Sequence, residues 1–256
     1  MGGNTNRPSP FITIEIYNTI IVYYLNFMSY IARNLEKIRN KIIAAAEKTE
    51  RSAEDITLVA VTKTRSIEEI LKLKSLGVKL IGENRVQELA RKFDYLKTNF
   101  NIHFIGHLQT NKVKHVVPMV NMIESVDSVR LACAIDKECK KIGKKMDVLM
   151  EVNTSHEEAK FGIEPENLLP LLKQASELKH IEILGLMTMA MFTDYQEKIK
   201  SCFRLLRELK TKAEKANIDN IHMRHLSMGM TNDFETAIEE GATIVRIGSA
   251  IFEKEP

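Results

Sequence analysis

Hydrophobic positions along this chain fall into two alternating patterns. Short apolar runs rich in β-branched residues recur. Between them, apolar residues return at the three- and four-residue spacing of an amphipathic helix. The clearest run is Ile56-Thr57-Leu58-Val59-Ala60-Val61-Thr62-Lys63. A continuous apolar run closed by polar residues suits a strand buried on both faces, as in a parallel sheet. Ile67-Glu68-Glu69-Ile70-Leu71-Lys72-Leu73 follows at helical spacing, with Ser66 as its N-cap. Upstream, Ile31, Leu35, Ile38, Ile42 and Ala45-Ala46 mark an additional N-terminal helix from Tyr30 to near Glu50. The pattern predicts strands near 57–62, 79–82, 102–106, 121–125, 147–152, 181–187, 223–227 and 243–247. It predicts helices near 66–76, 84–97, 110–117, 127–142, 165–178, 194–217 and 232–240. Such alternation signals a parallel α/β sheet, and eight βα units fit a single (β/α)8 barrel of the TIM type. The competitor is an open doubly wound sheet. No GxGxxG follows the first strand, which weakens its dinucleotide-binding version.

Residues 1–27 depart from the pattern. Phe11 to Phe27 is rich in Ile, Tyr, Asn and Val but carries Glu15 and two asparagines. It is short for a membrane span and has no cleavage-site pattern of a signal peptide. Met28-Ser29 directly precedes the first amphipathic helix. The expectation is an upstream extension over 1–27, with Met28 as the natural start and the barrel domain over 28–256.

Composition excludes more than it specifies. A net charge of +3 with 28% charged residues argues against a dedicated nucleic-acid or membrane surface. Cys133, Cys139 and Cys202 form no CxxC pair. They read as reduced thiols of a cytoplasmic protein, not as a disulfide framework or zinc site. The seven histidines lack metal-ligand spacing.

The candidate chemistry lies at the strand ends. Lys63 is placed at the carboxyl end of a central strand, where ligands bind in parallel α/β folds. Its amine could condense with an aldehyde if desolvation at a barrel mouth lowered the ordinary lysine pKa of about 10.4. Gly82-Glu83-Asn84, Gly106-His107-Leu108-Gln109, Glu124-Ser125 and Asn153-Thr154 are further polar strand ends, individually ordinary turn chemistry. The last two βα units carry a second signal. Ser227 offers a hydroxyl, Gly229 permits close backbone approach, and Asn232 with Glu235 has the spacing of a capping box. A strand then ends at Gly248-Ser249. Phosphate sites in barrels frequently lie after strands 7 and 8, beside a short extra helix. Arg246 alternates with Val245 and Ile247, so it faces the other way. Inside a barrel it could cap a ligand ring nitrogen or pair with a buried carboxylate. An aldehyde-trapping lysine facing a phosphate cradle suggests pyridoxal 5′-phosphate, although class I aldolases also use a barrel lysine.

From about Tyr30 to Phe252 the chain resembles the pyridoxal phosphate homeostasis protein family, itself similar to the N-terminal barrel domain of alanine racemase. The resemblance rests on ordered motifs: Leu58-Val59-Ala60-Val61-Thr62-Lys63, Gly82-Glu83-Asn84-Arg85-Val86-Gln87-Glu88, His103-Phe104-Ile105-Gly106-His107-Leu108-Gln109-Thr110-Asn111-Lys112, Lys160-Phe161-Gly162, Gly185-Leu186-Met187-Thr188, Ser227-Met228-Gly229-Met230-Thr231-Asn232-Asp233 and Val245-Arg246-Ile247-Gly248-Ser249-Ala250-Ile251-Phe252. It implies a pyridoxal-phosphate-binding barrel that carries the cofactor as a Schiff base on Lys63. It implies phosphate contacts at Ser227, Gly248 and Ser249, and Arg246 near the pyridine nitrogen. An arginine there disfavours a protonated ring and weakens it as an electron sink, so the implied role is cofactor homeostasis without catalysis. The implied partners are the small-molecule cofactor and, transiently, pyridoxal-phosphate-dependent apoenzymes, with a monomer expected. Two departures stand out: Ser249 where threonine is common, and Glu253-Lys254 where glycine and a basic residue usually follow.

Two enzymatic alternatives remain. A racemase of this fold needs a second acid/base on the opposite cofactor face, often a tyrosine. Tyr95 and Tyr195 lie in predicted helical or loop regions, and the other four are in or beside the N-terminal extension. A Schiff-base aldolase would instead trap a sugar phosphate on Lys63.

Overall fold

The computed structural model describes residues 29–157 and 159–254; the expected extension over 1–27 lies outside them. Eight parallel strands close into a barrel in sequence order, β1 pairing with both β2 and β8. They are β1 (Thr57–Val61), β2 (Leu80–Glu83), β3 (Asn101–Phe104), β4 (Met122–Val126), β5 (Met146–Glu151), β6 (Ile181–Met187), β7 (Ile221–Ser227) and β8 (Ile244–Ile247). The helices are α1 (Tyr30–Glu47), α2 (Ile67–Ser75), α3 (Val86–Leu96), α4 (Val113–Val116), α5 (Val129–Ile142), α6 (Leu168–Ala175), α7 (Gln196–Lys215), α8 (Phe234–Glu239) and α9 (Ser249–Phe252). Every strand predicted from the pattern forms within a few residues of its expected place. Among the described residues no helix is long and apolar enough to cross a membrane.

Local sequence chemistry sets the ends of these elements. Ser66 accepts from the Glu69 N–H while Glu69 reaches back to the Ser66 N–H, a complete capping box that starts α2. Two predicted helices are shorter than the pattern. The 110–117 segment opens as a 3-10 turn over Thr110–Lys112, and the 165–178 segment opens as one over Pro165–Asn167. The expected Asn232/Glu235 capping box does not form. Asp233 is the N-cap of α8, and its carboxylate turns backward to accept from the Met230 N–H at 2.5 Å. Helix α1 buries Ile31, Leu35, Ile38 and Ile42 against α8 and α9. Its Asn34 Nδ2 donates to Ile251 O at 3.1 Å and Glu253 O at 2.8 Å, tying α1 to the turn after β8.

The apolar core has two parts. The larger lies between strands and helices. The smaller plugs the barrel with Val59, Met122, Leu149, Leu184, Met187 and Ile244. Side chains alternate along a strand, so residues two positions on share the inner face. Val61, Glu124, Glu151 and Arg246 therefore stand one layer above Val59, Met122, Leu149 and Ile244. The barrel carries an apolar floor with a polar layer on top.

Candidate functional site

A cleft of about 640 Å³ opens at the carboxyl ends of the strands, within the ordinary range for small-molecule sites. Lys63, Arg246, Gly248 and Ser249 line it together, with Val61, Arg65, Met191 to Asp194, Thr231 and Asp233. Two sequence-predicted residues do not line it, Ser227 and Gly229.

Lys63 lies two residues beyond the end of β1, in the turn from Thr62 to Arg65, where the Arg65 N–H donates to Thr62 O at 3.2 Å. Lys63 stands where expected, at the carboxyl end of β1, but the expected desolvation is not seen: the turn leaves it exposed. Among the described residues no hydrogen bond or ion pair engages its amine. The turn itself is held firmly. Thr64 sits at φ 62°, a left-handed conformation that costs a β-branched residue about 1–3 kcal/mol and persists only where its surroundings enforce it. They do so from α3. Lys92 Nζ donates to Thr62 O at 2.9 Å, to Glu88 Oε1 at 2.6 Å and to Glu83 Oε1 at 3.2 Å. Glu88 Oε1 also accepts from the Thr64 N–H. Thr62 Oγ1 donates to Glu83 Oε1 at 2.6 Å. Burial raises the Glu83 pKa above the ordinary carboxylate value. Burial pushes Glu88 the same way, but the bonds from Lys92 and Thr64 outweigh it and leave Glu88 below that value.

The opposite wall is organised from inside the barrel. Arg246 Nη1 donates to Ser227 Oγ at 2.6 Å and Nη2 to Thr188 O at 2.8 Å. Ser227 Oγ donates onward to Glu124 Oε2 at 2.5 Å, and Glu124 Oε1 lies 2.6 Å from His103 Nδ1. Arg246 thus faces a buried carboxylate through a serine hydroxyl while also lining the cleft. Burial lowers the Arg246 pKa against the pull of Glu124, Glu151 and Asp233; a guanidinium still stays protonated in a protein. Burial acts to raise the Glu124 pKa, but His103, Arg246 and Ser227 together hold it below the usual range. Glu151 differs: burial, reinforced by Asp127, pushes it up to about 7 against the opposing charge of Arg246. Ser227 is fully buried, so its hydroxyl belongs to this interior chain. Gly229 is structural, at φ 93°, where a Cβ would press to 2.5 Å from the Ala237 Cβ.

The floor after β8 is tight. A Cβ at Gly248 would meet Val61 at 3.2 Å, so glycine brings this backbone close to β1. Ser249 Oγ donates to Thr231 Oγ1 at 2.9 Å, joining the loops after β7 and β8. The Arg65 guanidinium stands over the Phe252 ring, 5.1 Å from its centroid. Across the mouth, His107 stacks on Phe161 at 3.6 Å between centroids and pairs with Asp127 at 3.2 Å. The polar ends at Asn153-Thr154 and Ser125 bond among themselves: Thr154 Oγ1 to Thr188 Oγ1 at 2.9 Å, and Ser125 Oγ to Gly106 O at 2.6 Å.

Sequence reasoning missed Lys92 as a member of the site. Its signal is position: Lys92 stands on the buried stripe of α3 with Leu89 and Leu96, four residues after Glu88. It also passed over Glu124 as turn chemistry, although Glu124 lies two positions after Met122, on the same face of a buried strand.

Comparison with known proteins gives concordant results. The family described as alanine racemase, N-terminal domain, matches residues 31–256. The chain is 43% identical over 219 residues to the pyridoxal phosphate homeostasis protein of Aquifex aeolicus, covering 85% of this chain and 95% of that one. It is similar to the crystal structure of an unknown protein from Bifidobacterium adolescentis, with a TM-score of 0.81, 38% identity and coverage of 87% and 94%. It is also similar to PipY of Synechococcus elongatus solved with PLP bound, with a TM-score of 0.77, 28% identity and coverage of 87% and 100%.

Proposed function

The chain belongs to the pyridoxal phosphate homeostasis protein family, and on that premise we propose that it binds pyridoxal 5′-phosphate, attaches it covalently at Lys63 and holds it for release to other proteins. The observation that carries this reading is the pairing across one cleft of an exposed, unengaged Lys63 amine with the immobilised Arg246 and the Ser249–Thr231 hydroxyls. The donor set fits the cofactor. Bound there, pyridoxal phosphate supplies an aldehyde carbon for an amine and a dianionic phosphate for a positive, hydroxyl-bearing cradle. Lys63 provides the amine. The backbone at Gly248, with the hydroxyls of Ser249 and Thr231, suits the phosphate, in the position after strands 7 and 8 where barrels commonly bind one. Arg246 can only donate hydrogen bonds, so a ring nitrogen facing it would remain unprotonated. Ser227 and Gly229 support this wall from behind: Ser227 by holding Arg246, Gly229 by shaping the loop before Thr231.

The same features favour binding over turnover. A pyridine ring without a proton is a poor electron sink, and Tyr195, between the cleft-lining Asp194 and Gln196, is 70% exposed with Lys198 over its ring. The relatives are named as homeostasis proteins, which agrees with this reading. Transfer to apoenzymes is supported by an apolar rim on the loops after β6 and β7: Met189, Phe192, Tyr195 and Met230 are exposed, Phe192 at 94%. The free thiols Cys133, Cys139 and Cys202 suit the cytoplasm.

An absorption spectrum of the purified protein, borohydride reduction and peptide mass mapping test the reading. A yellow protein whose reduced cofactor stays on the Lys63 peptide is the expected result. A chain that remains colourless with added pyridoxal phosphate, or a label on another lysine, would overturn it. Exchange of the α-proton of D- or L-alanine in deuterated water would overturn the non-catalytic part alone.

A further inference from the structure

Lys63 belongs to a pair of lysines at this end of the barrel. Lys92 is buried, with its cation shared between Glu83 and Glu88, whereas Lys63 is exposed and its amine is unengaged. The contacts made by the buried group land on particular atoms. Lys92 Nζ takes Thr62 O at 2.9 Å, and Glu88 takes the Thr64 N–H. These are the backbone carbonyl just before Lys63 and the backbone amide just after it. Glu83 adds the Thr62 hydroxyl at 2.6 Å. An ion pair that only packed α3 against β2 would have no reason to reach the two peptide groups flanking the nucleophile. Thr64 also holds a left-handed conformation that a β-branched residue leaves when released. Its release would rotate the neighbouring peptide and re-aim the Lys63 side chain.

We propose that Lys92 and Glu88 are positioning residues for Lys63: a buried ion pair on α3 brackets the backbone on both sides of the nucleophile, aiming its amine into the cleft without touching it. The inference rests on the reading of Lys63 as the attachment site. It explains how one lysine is kept available while its neighbour is not. Lys92 is neutralised and committed to backbone and carboxylate, so Lys63 alone offers an amine to the cleft.

The test uses the full chain and the double variant Lys92→Met/Glu88→Leu. It replaces the pair by apolar groups of similar size; Glu83, which loses Lys92 as a partner, keeps its bond from the Thr62 hydroxyl and is already pushed by burial toward its neutral form. Stopped-flow absorbance with added pyridoxal phosphate measures the rate of attachment, borohydride trapping locates it, and thermal unfolding reports the fold. The expected result is a folded protein whose attachment at Lys63 is roughly ten- to a hundredfold slower. Glu88→Gln, which keeps an acceptor for the Thr64 N–H, should restore a rate within about threefold of wild type, a rescue that loss of packing would not produce. A folded double variant with the wild-type rate would overturn the proposal. A second measurement needs no variant: the Thr64 amide, on an exposed residue, should exchange slowly with deuterium in the wild-type chain, and prompt exchange would overturn it even if the double variant did not fold. If wild-type protein shows no borohydride-reducible attachment at Lys63, the cofactor reading fails, while amide exchange still judges the bracket.

Discussion

The two walls of the cleft are held from opposite sides of the same sheet. On the Lys63 wall, support comes from outside the barrel. The Lys92, Glu88 and Glu83 group on α3 and β2 grips the backbone on both sides of Lys63 and the Thr62 hydroxyl, and leaves the functional side chain free. On the Arg246 wall, support comes from inside. Ser227, itself anchored by Glu124 and through it by His103, grips the functional side chain directly. The difference follows from what each group has to do. A nucleophile must keep an unengaged amine, so only its backbone can be fixed. A charged residue buried in a barrel must be neutralised, so its side chain is the part that is fixed.

The contrast breaks most visibly at Glu124. Glu124→Leu would remove the foremost of the carboxylates that oppose the buried Arg246 charge, and a loss of about 3–5 kcal/mol in urea unfolding is expected. A loss below about 1 kcal/mol would mean that the Arg246 wall does not depend on its interior chain.

Glu151 tests the same polar layer through pH. Its folded pKa of about 7 lies above the ordinary 4.5. Between these values the folded state keeps a proton that the unfolded chain gives up. The group therefore costs nothing below about pH 4.5 and destabilises progressively as pH rises, by up to about 3 kcal/mol above pH 7. Glu151→Gln should remove that loss, so the variant gains on wild type from pH 5 to about 8 in thermal unfolding. Parallel curves for the two proteins would reject the shift.

Ser227→Ala should cost less, about 1–2 kcal/mol, by removing one buried bridge between Arg246 and Glu124. Equilibrium titration should show weaker cofactor retention while Lys63 remains reactive. Unaltered affinity would separate Ser227 from the binding wall.

Lys63→Ala sharpens the comparison by doing almost nothing to stability. Its side chain is exposed and unengaged, so unfolding should shift by no more than about 0.5 kcal/mol. Covalent attachment should vanish, leaving at most reversible anchoring through the phosphate. A large stability loss would mean that Lys63 makes contacts like those of Arg246.

Much of this molecule was legible in its residues. Alternation of β-branched runs with amphipathic stretches is local information, because a strand buried on both faces and a helix with one apolar stripe write different periods. It therefore gave all eight strands and the direction of the barrel, and the motifs around Lys63 and Arg246 identified the family. Local chemistry misled where one polar residue had rival partners. Asn232 and Glu235 have capping-box spacing, yet Asp233 occupies the N-cap position of α8 and turns its carboxylate back to the Met230 N–H. Lys63 read as a desolvated strand end, yet a turn over Thr62 to Arg65 carries it into solvent.

By itself, then, the sequence determined the period and order of the βα units and the residue types at their carboxyl ends, because these depend on neighbours a few positions apart; closure, which pairs β1 with β8, is a tertiary outcome. Only the tertiary structure decided which charges pair. Glu124 meets Ser227 across 103 positions and Arg246 meets Thr188 across 58. Lys92 meets Thr62 across 30. Such pairs form because burial makes an unpaired charge or hydroxyl costly, and closing the barrel sets which partner stands within reach.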